Sequence, residues 1–85
     1  MTQYQALITK SASAQLDDLS PSVQERVANV IDLLSTGDFS HSERLPVGEE
    51  PYQLRSAGVT EHVRIIFAID TKEHLLTVVR FGLLG

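Results

Sequence analysis

The sequence contains no cysteine and no long apolar run. The absence of cysteine excludes disulfide scaffolds, thiolate metal sites and cysteine nucleophiles, and it fits a reducing compartment. No segment approaches the roughly 20 consecutive apolar residues that a membrane-spanning helix requires. The first ten residues, MTQYQALITK, also lack the apolar stretch of a signal peptide. We therefore expect a cytoplasmic protein that makes no use of a membrane.

Positive charge is also scarce, because 7 Lys and Arg residues face 11 Asp and Glu residues, for a formal net charge of −4. Such a chain has no global attraction to a phosphate backbone, so any contact with nucleic acid needs a local basic patch. The content of 42% hydrophobic and 21% charged residues is that of an ordinary globular protein. A chain of 85 residues predicts a single domain that spans residues 1–85.

The N-terminal half reads as one strand followed by two helices. Weak alternation predicts a short strand over residues 3–8, and apolar residues at helical spacing predict a helix over residues 11–19, capped by Ser11 or Ser13. Ser20 and Pro21 are a typical helix start, and Gly37 is placed to end that second helix in a left-handed cap. One continuous apolar face of this helix is formed by Val23, Val27, Val30, Ile31 and Leu34.

The C-terminal half reads as a loop and a three-stranded meander. Residues 38–51 lack sustained periodicity and form the longest connection, and strands are predicted over residues 52–56, 62–69 and 75–81. The order β-α-α-β-β-β predicts an α+β fold, with two N-terminal helices packed on one face of a mostly antiparallel four-stranded sheet. The first strand is expected at an edge or beside the last strand.

Several short motifs in the C-terminal half resemble those of one known family. Tyr52-Gln53-Leu54-Arg55 is followed by HVRIIFAID over residues 62–70, and LTVVRFG over residues 76–82 forms the predicted last strand. Together with the element order, these segments resemble the RelE/ParE superfamily of bacterial toxins from type II toxin–antitoxin modules. Leu45-Pro46-Val47-Gly48 stands where that family has L-x-G. The likeness covers nearly the whole chain.

The resemblance implies a toxin that acts as a ribosome-dependent mRNA endoribonuclease and inhibits translation by cutting RNA. Its implied partners are a cognate antitoxin, the ribosome and mRNA. Two alternatives stay open: a non-enzymatic inhibitor of DNA gyrase of the ParE type, and a toxin fold that has lost its chemistry and only binds an antitoxin. No cofactor is expected. The three histidines lack ligand-like spacing, so no metal is expected either.

The candidate catalytic residues are Arg55, Arg64 and His62. Arg55 and Arg64 match the family's arginine positions, and strand alternation predicts that both lie on the sheet face that the helices leave uncovered. There they would hold the scissile phosphate and stabilise its developing charge. The alternative is that they serve the scaffold or contact a partner. His62 is the best local candidate for proton transfer, although a solvated side chain is the simpler interpretation.

Two further features bear on activity. Arg80 alternates with Val79 and Phe81 and is expected to join the same uncovered face as Arg64. The family's nucleases commonly end in a segment of the kind G-H-R-x-x-x-Y, whereas Leu83, Leu84 and Gly85 follow Gly82 here. The apolar residues Phe81, Leu83 and Leu84 are expected either to bind a partner or to pack against the sheet.

Overall fold

The computed structural model describes residues 3–84, which form two helices and one five-stranded sheet. The sheet order is β1-β5-β4-β3-β2, and all neighbours are antiparallel except β1 and β5. This confirms the α+β fold and the position of the first strand, which lies at an edge and beside the last strand. The elements are β1 (Gln5–Ile8), α1 (Lys10–Asp17), α2 (Pro21–Ser35), β2 (Ser42–Arg44), β3 (Tyr52–Gly58), β4 (Val63–Asp70) and β5 (Leu75–Leu83).

The sheet has a fifth strand where the sequence predicts only a connection. β2 consists of three polar residues that pair antiparallel with β3, so that Ser42 lies opposite Ala57 and Arg44 opposite Arg55. No alternation of apolar residues marks it, and its side chains are half-buried or exposed. Its pairing depends on β3 rather than on any intrinsic strand preference, which is why the count of four strands is wrong.

Helix α1 begins earlier than its sequence predicts because a threonine of the preceding connection caps it. The N-cap is Thr9, whose Oγ1 accepts a hydrogen bond from the Ala12 amide at 3.1 Å and donates one to the Val79 carbonyl at 3.2 Å. Ser11 and Ser13, the predicted caps, lie inside the helix. In the middle of α1, the Gln15 side chain accepts a hydrogen bond from the Phe81 amide and donates one to the Phe81 carbonyl. These two bonds fasten α1 to β5.

Helix α2 has the boundaries that its local signals predict. Ser20 is the N-cap, its Oγ accepts from the Val23 amide at 3.4 Å, and Pro21 occupies the first helical position. Gly37 follows the C-cap with a φ of +90°, the left-handed conformation that glycine adopts at little cost. Within residues 3–84, no helix is both long enough and apolar enough to cross a membrane.

The core lies between the two helices and one face of the sheet. Val63, Ile65, Phe67 and Ile69 alternate along β4 and are all buried, so this row of side chains faces the helices. β5 adds Leu76, Val78 and Phe81, and the helices contribute Ala12, Val27 and Leu34. The sheet is therefore an amphipathic layer, with one face in the core and the other outside it.

Candidate functional site

The register between β3 and β4 decides which side chains share a face. Residues directly opposite each other in an antiparallel pair project to the same face. Arg55 lies opposite the buried Phe67, so it belongs to the helix-facing side. Arg64 lies opposite Gly58 and alternates with the buried Val63, so it projects to the other side. The prediction that the two arginines share the uncovered face is therefore wrong.

We call the uncovered side of the sheet the open face. Helices α1 and α2 contribute to the core on the opposite side, and no open-face residue belongs to that core. Strand pairing assigns to the open face Glu43, Tyr52, Leu54, Ser56, Gly58, Arg64, Ile66, Ala68, Asp70, Leu75, Thr77, Arg80 and Gly82.

Arg64 is held on the open face by one hydrogen bond and has room around it. Its Nε donates to Oγ of Ser56 at 2.8 Å, and Ser56 is itself buried. The strand neighbours opposite Arg64 are Gly58 and Gly82, so no side chain stands directly on either side of it. A Cβ at Gly58 would lie 3.5 Å from Nη1 of Arg64. The guanidinium is thus fixed through Nε, whereas Nη1 and Nη2 have no hydrogen-bond partner within residues 3–84.

Arg80 reaches the same face because β5 contains a bulge. Arg80 lies opposite Ile66, but the next residue of β4, Phe67, lies opposite Val78, which leaves Val79 as the extra residue. Strict alternation from the buried Val78 would turn Arg80 towards the helices. The bulge shifts the phase, so Arg80 is exposed on the open face and diagonal to Arg64, which confirms the prediction for Arg80.

The open face also carries a carboxylate that the sequence does not single out. Glu43 of β2 lies opposite Ser56, the residue that holds Arg64. The ion pair found in the part of the chain that the structure describes joins Arg44 to Glu50 at 3.1 Å, and neither Arg64 nor Arg80 has a carboxylate partner there. No local signal in the sequence places Glu43 on this face, because its strand is recognisable only through its pairing with β3.

Arg55 makes its contacts within the scaffold, on the helix-facing side. Its Nε donates to Oγ of Ser42 at 2.7 Å, Nη1 donates to Oε1 of Gln53 at 3.1 Å, and Nη2 donates to the carbonyls of Phe39 and Ser42, each at 3.3 Å. The guanidinium carbon also lies 5.7 Å from the centroid of the Phe39 ring. This geometry favours the scaffold alternative for Arg55, because its donors are already engaged.

None of the three histidines lies in a strand. His62 is exposed and precedes β4, which begins at Val63, so strand alternation does not fix its side-chain direction. Its carbonyl accepts a hydrogen bond from the Leu84 amide at 2.7 Å. His74 occupies the turn before β5 with a φ of +55° and packs against Tyr4, while His41 is exposed in the loop before β2.

Among residues 3–84, no group of three or more His, Cys, Asp or Glu side chains is arranged to hold a metal ion. Near His41, the hydroxyl of Ser40 donates to Oδ1 of Asp38 at 2.6 Å, and the Ser40 amide donates to the same oxygen at 3.0 Å. The side-chain hydrogen bond, then the backbone one, holds the pKa of Asp38 below its ordinary value. This carboxylate orders the loop that leads into β2 and lies outside the open face.

No protein-family model matches the chain, and no curated protein matches it at a significant level. Solved structures do match it over almost their whole length. A chain of the archaeal RelE–RelB complex from Pyrococcus horikoshii superposes with a TM-score of 0.88 at 18% identity, over 99% of this chain and 98% of that one. For the RelBE2 toxin–antitoxin complex of Mycobacterium tuberculosis the TM-score is 0.77 at 20% identity, over 96% and 99% of the two chains.

The RelBE toxin–antitoxin complex of E. coli matches with a TM-score of 0.55 at 11% identity, over 96% of this chain and 98% of that one. Identities this low establish a shared architecture, and activity has to be argued from the site. The arrangement of two helices packed against a mostly antiparallel sheet matches that of the archaeal RelE–RelB structure. The chain therefore has the α+β fold of the RelE toxins.

Proposed function

We propose that the chain is the toxin of a type II toxin–antitoxin pair and that it inhibits translation by cleaving mRNA on the ribosome. The observation that carries this proposal is the pair of arginines, Arg64 and Arg80, on the open face of a RelE-type sheet. Neither has a carboxylate partner within residues 3–84. In a chain of net charge −4, two neighbouring arginines whose charges are not paired with a carboxylate in the described residues supply the local basic patch that phosphate binding needs.

Arg64 is the residue that we assign to the scissile phosphate. Ser56 fixes its Nε, which leaves the two terminal nitrogens to donate to phosphate oxygens as a fork. A guanidinium held in place before the reaction stabilises charge that develops on the phosphate in the transition state. Arg80, as the diagonal neighbour, adds a second positive charge to the same phosphate or the next one.

Proton transfer requires a further group. Cleavage through the 2′-hydroxyl needs a base for that hydroxyl and an acid for the leaving oxygen. We propose Glu43 and His62 as the two candidates for the base. Glu43 neighbours Ser56 on the open face, and His62 precedes Arg64 by two residues. Glu43→Gln and His62→Gln separate them: the variant that removes the base should lose cleavage and keep binding to ribosomes.

The direct test is in-vitro cleavage of an mRNA by the purified protein, with and without ribosomes. We expect truncation only with ribosomes present, loss of truncation in Arg64→Ala, and a reduced rate in Arg80→Ala. Arg26→Ala is the matched control, because Arg26 is an exposed arginine on α2 and the substitution removes the same charge. An intact transcript with the wild-type protein, or equal losses in all three variants, would contradict the proposal.

A second candidate function is binding without cleavage, as in a gyrase inhibitor of the ParE type or a toxin fold that only binds its antitoxin. The observation that favours it is the position of the three histidines, all of which lie outside the strands. A supercoiling assay with DNA gyrase distinguishes this candidate. Inhibition by the wild-type protein, with mRNA left intact beside ribosomes, would establish it over the nuclease.

The partner common to these functions is an antitoxin. Beside the free edge of β1 runs an apolar groove of about 240 Å³, lined by Ala6, Leu7, Ile8, Leu16 and Ile31. We propose that the antitoxin lays a strand or helix over this groove or over the open face. Leu7→Asp should weaken the complex with the protein encoded beside this chain's gene, whereas Leu33→Asp, at an equally exposed leucine of α2, serves as the matched control.

A further inference from the structure

A depression of about 220 Å³ lies on the open face, towards the C-terminal end of β4. It is lined by Tyr52, Ala68, Ile69, Asp70, Leu75 and Thr77. We propose that this depression is a subsite for one amino-bearing nucleobase of the single-stranded RNA whose phosphate binds Arg64 and Arg80. The inference rests on the proposed function and extends it, because it assigns residues that choose the cleavage sequence.

The aromatic wall of the subsite is Tyr52. Tyr52 is 60% exposed and lies opposite Asp70 on the open face. Its backbone is well anchored, since the Tyr52 amide donates to the Glu49 carbonyl at 2.7 Å and the Thr71 amide donates to the Pro51 carbonyl at 3.0 Å. A base that stacks on such a ring gains about 1–3 kcal/mol, whatever its identity. Stacking therefore supplies affinity, and choice of base needs a polar group.

Asp70 supplies that polar group. Its Oδ1 accepts hydrogen bonds from the amides of Lys72 at 2.9 Å and Glu73 at 3.0 Å, which orients the carboxylate. The other oxygen, Oδ2, has no hydrogen-bond partner among residues 3–84. One free carboxylate oxygen suits an exocyclic amino group of adenine, cytosine or guanine. Uracil instead has carbonyl oxygens on both sides of its single N–H, and these repel the carboxylate.

The positions of the charges on the open face favour RNA over a protein side chain. Arg64 and Asp70 are six residues apart on β4, a separation of about 20 Å at the usual strand rise. The phosphates of an RNA strand are attracted to Arg64 and repelled by Asp70. An RNA strand that crosses the open face therefore turns its phosphates towards Arg64 and a base towards Tyr52. The subsite thus reads a base a few nucleotides away from the scissile phosphate rather than the phosphate itself.

The test compares cleavage patterns on a transcript that carries every codon, read by primer extension with ribosomes present. For the wild-type protein we expect cleavage to disfavour uracil at one fixed position relative to the cut. Asp70→Asn should reduce this discrimination by roughly tenfold, and Tyr52→Ala should lower cleavage by roughly tenfold at all sites, whereas Tyr52→Phe should keep it. Glu73→Gln, an exposed carboxylate in the adjoining turn, is the matched control for lost charge.

A binding measurement separates failure of the subsite from failure of the proposed function. Fluorescence anisotropy is recorded with labelled A and U tetranucleotides. If the wild-type protein cleaves nothing but prefers A over U in a manner that Asp70→Asn abolishes, the nuclease proposal fails and the subsite stands. If cleavage and its pattern are unchanged in Tyr52→Ala and Asp70→Asn, the subsite is refuted and the nuclease stands. If Tyr52→Ala weakens only antitoxin binding, the depression receives a protein side chain and the subsite is equally refuted.

Discussion

Replacing Arg55 with methionine should destabilise the fold, whereas the same replacement at Arg64 should leave stability close to that of the wild type. The reason is the difference in what each guanidinium binds. Arg55 donates four hydrogen bonds, three of which go to Phe39, in the loop before β2, and to Ser42, the first residue of β2. Arg64 donates one, to Ser56. Arg55 therefore fastens β2 and the preceding loop to the sheet.

The size of the effect follows from these contacts. A hydrogen bond contributes about 0.5–1.5 kcal/mol net, and the lower part of that range applies because Arg55 is only half-buried. Four such bonds, with the contact to the Phe39 ring, give a loss of roughly 2–3 kcal/mol in the free energy of unfolding. A domain of this length has a total of about 4–13 kcal/mol. The melting temperature should therefore fall by roughly 10–20 °C.

Two measurements check this prediction: urea denaturation for the whole domain, and amide hydrogen exchange for Ser42–Arg44. Arg55→Met should lower the urea midpoint and speed exchange in β2, and Arg55→Lys should recover little, since an ammonium group cannot reproduce the guanidinium fork. Arg64→Met is the matched control and should lose about 1 kcal/mol, the net contribution of its one hydrogen bond to Ser56. Wild-type stability and exchange in Arg55→Met, combined with lost cleavage, would refute the scaffold role and restore the catalytic one.

Two further predictions concern the contact between α1 and β5. Gln15→Ala removes both hydrogen bonds to Phe81 and should lower the free energy of unfolding by about 1–2 kcal/mol in urea denaturation; an unchanged midpoint would mean that water replaces the side chain without cost. Thr9→Val keeps the shape but removes the N-cap and the bond to Val79, so we expect a loss of about 1 kcal/mol by thermal denaturation. Thr9→Ser, which keeps the hydroxyl, is the matched control, and a loss there as large as in Thr9→Val would contradict the second prediction.

The parts of the fold that were predictable are those with local signals. Helix α2 has a serine cap, a proline at its first position and a glycine at its end, and all three act within a few residues. The buried row from Val63 to Ile69 follows from alternation within one strand. β2 and the Thr9 cap could not be predicted because they depend on contacts with distant parts of the chain. The polar strand β2 pairs with β3, and the Thr9 cap also binds β5.

The candidate site shows the same division more sharply. Alternation within each strand correctly separated Arg64 from its buried neighbours, and Arg80 from Phe81. Alternation carries no information about the register between β3 and β4, which the pairing of Arg55 with Phe67 fixes. An error of one residue in that register transfers every side chain of a strand to the other face. Alternation alone therefore predicts the wrong face for Arg55.

The sequence by itself determined that this chain folds as two helices on a sheet, because hydrophobic periodicity and helix caps are local properties of the chain. Only the tertiary structure decided which arginines lie on the same face of the sheet. Strand register sends Arg55 to the scaffold, a bulge at Val79 turns Arg80 outwards beside Arg64, and β2 brings Glu43 to the same face. Each of these depends on hydrogen bonds between residues far apart in sequence, which no local pattern encodes.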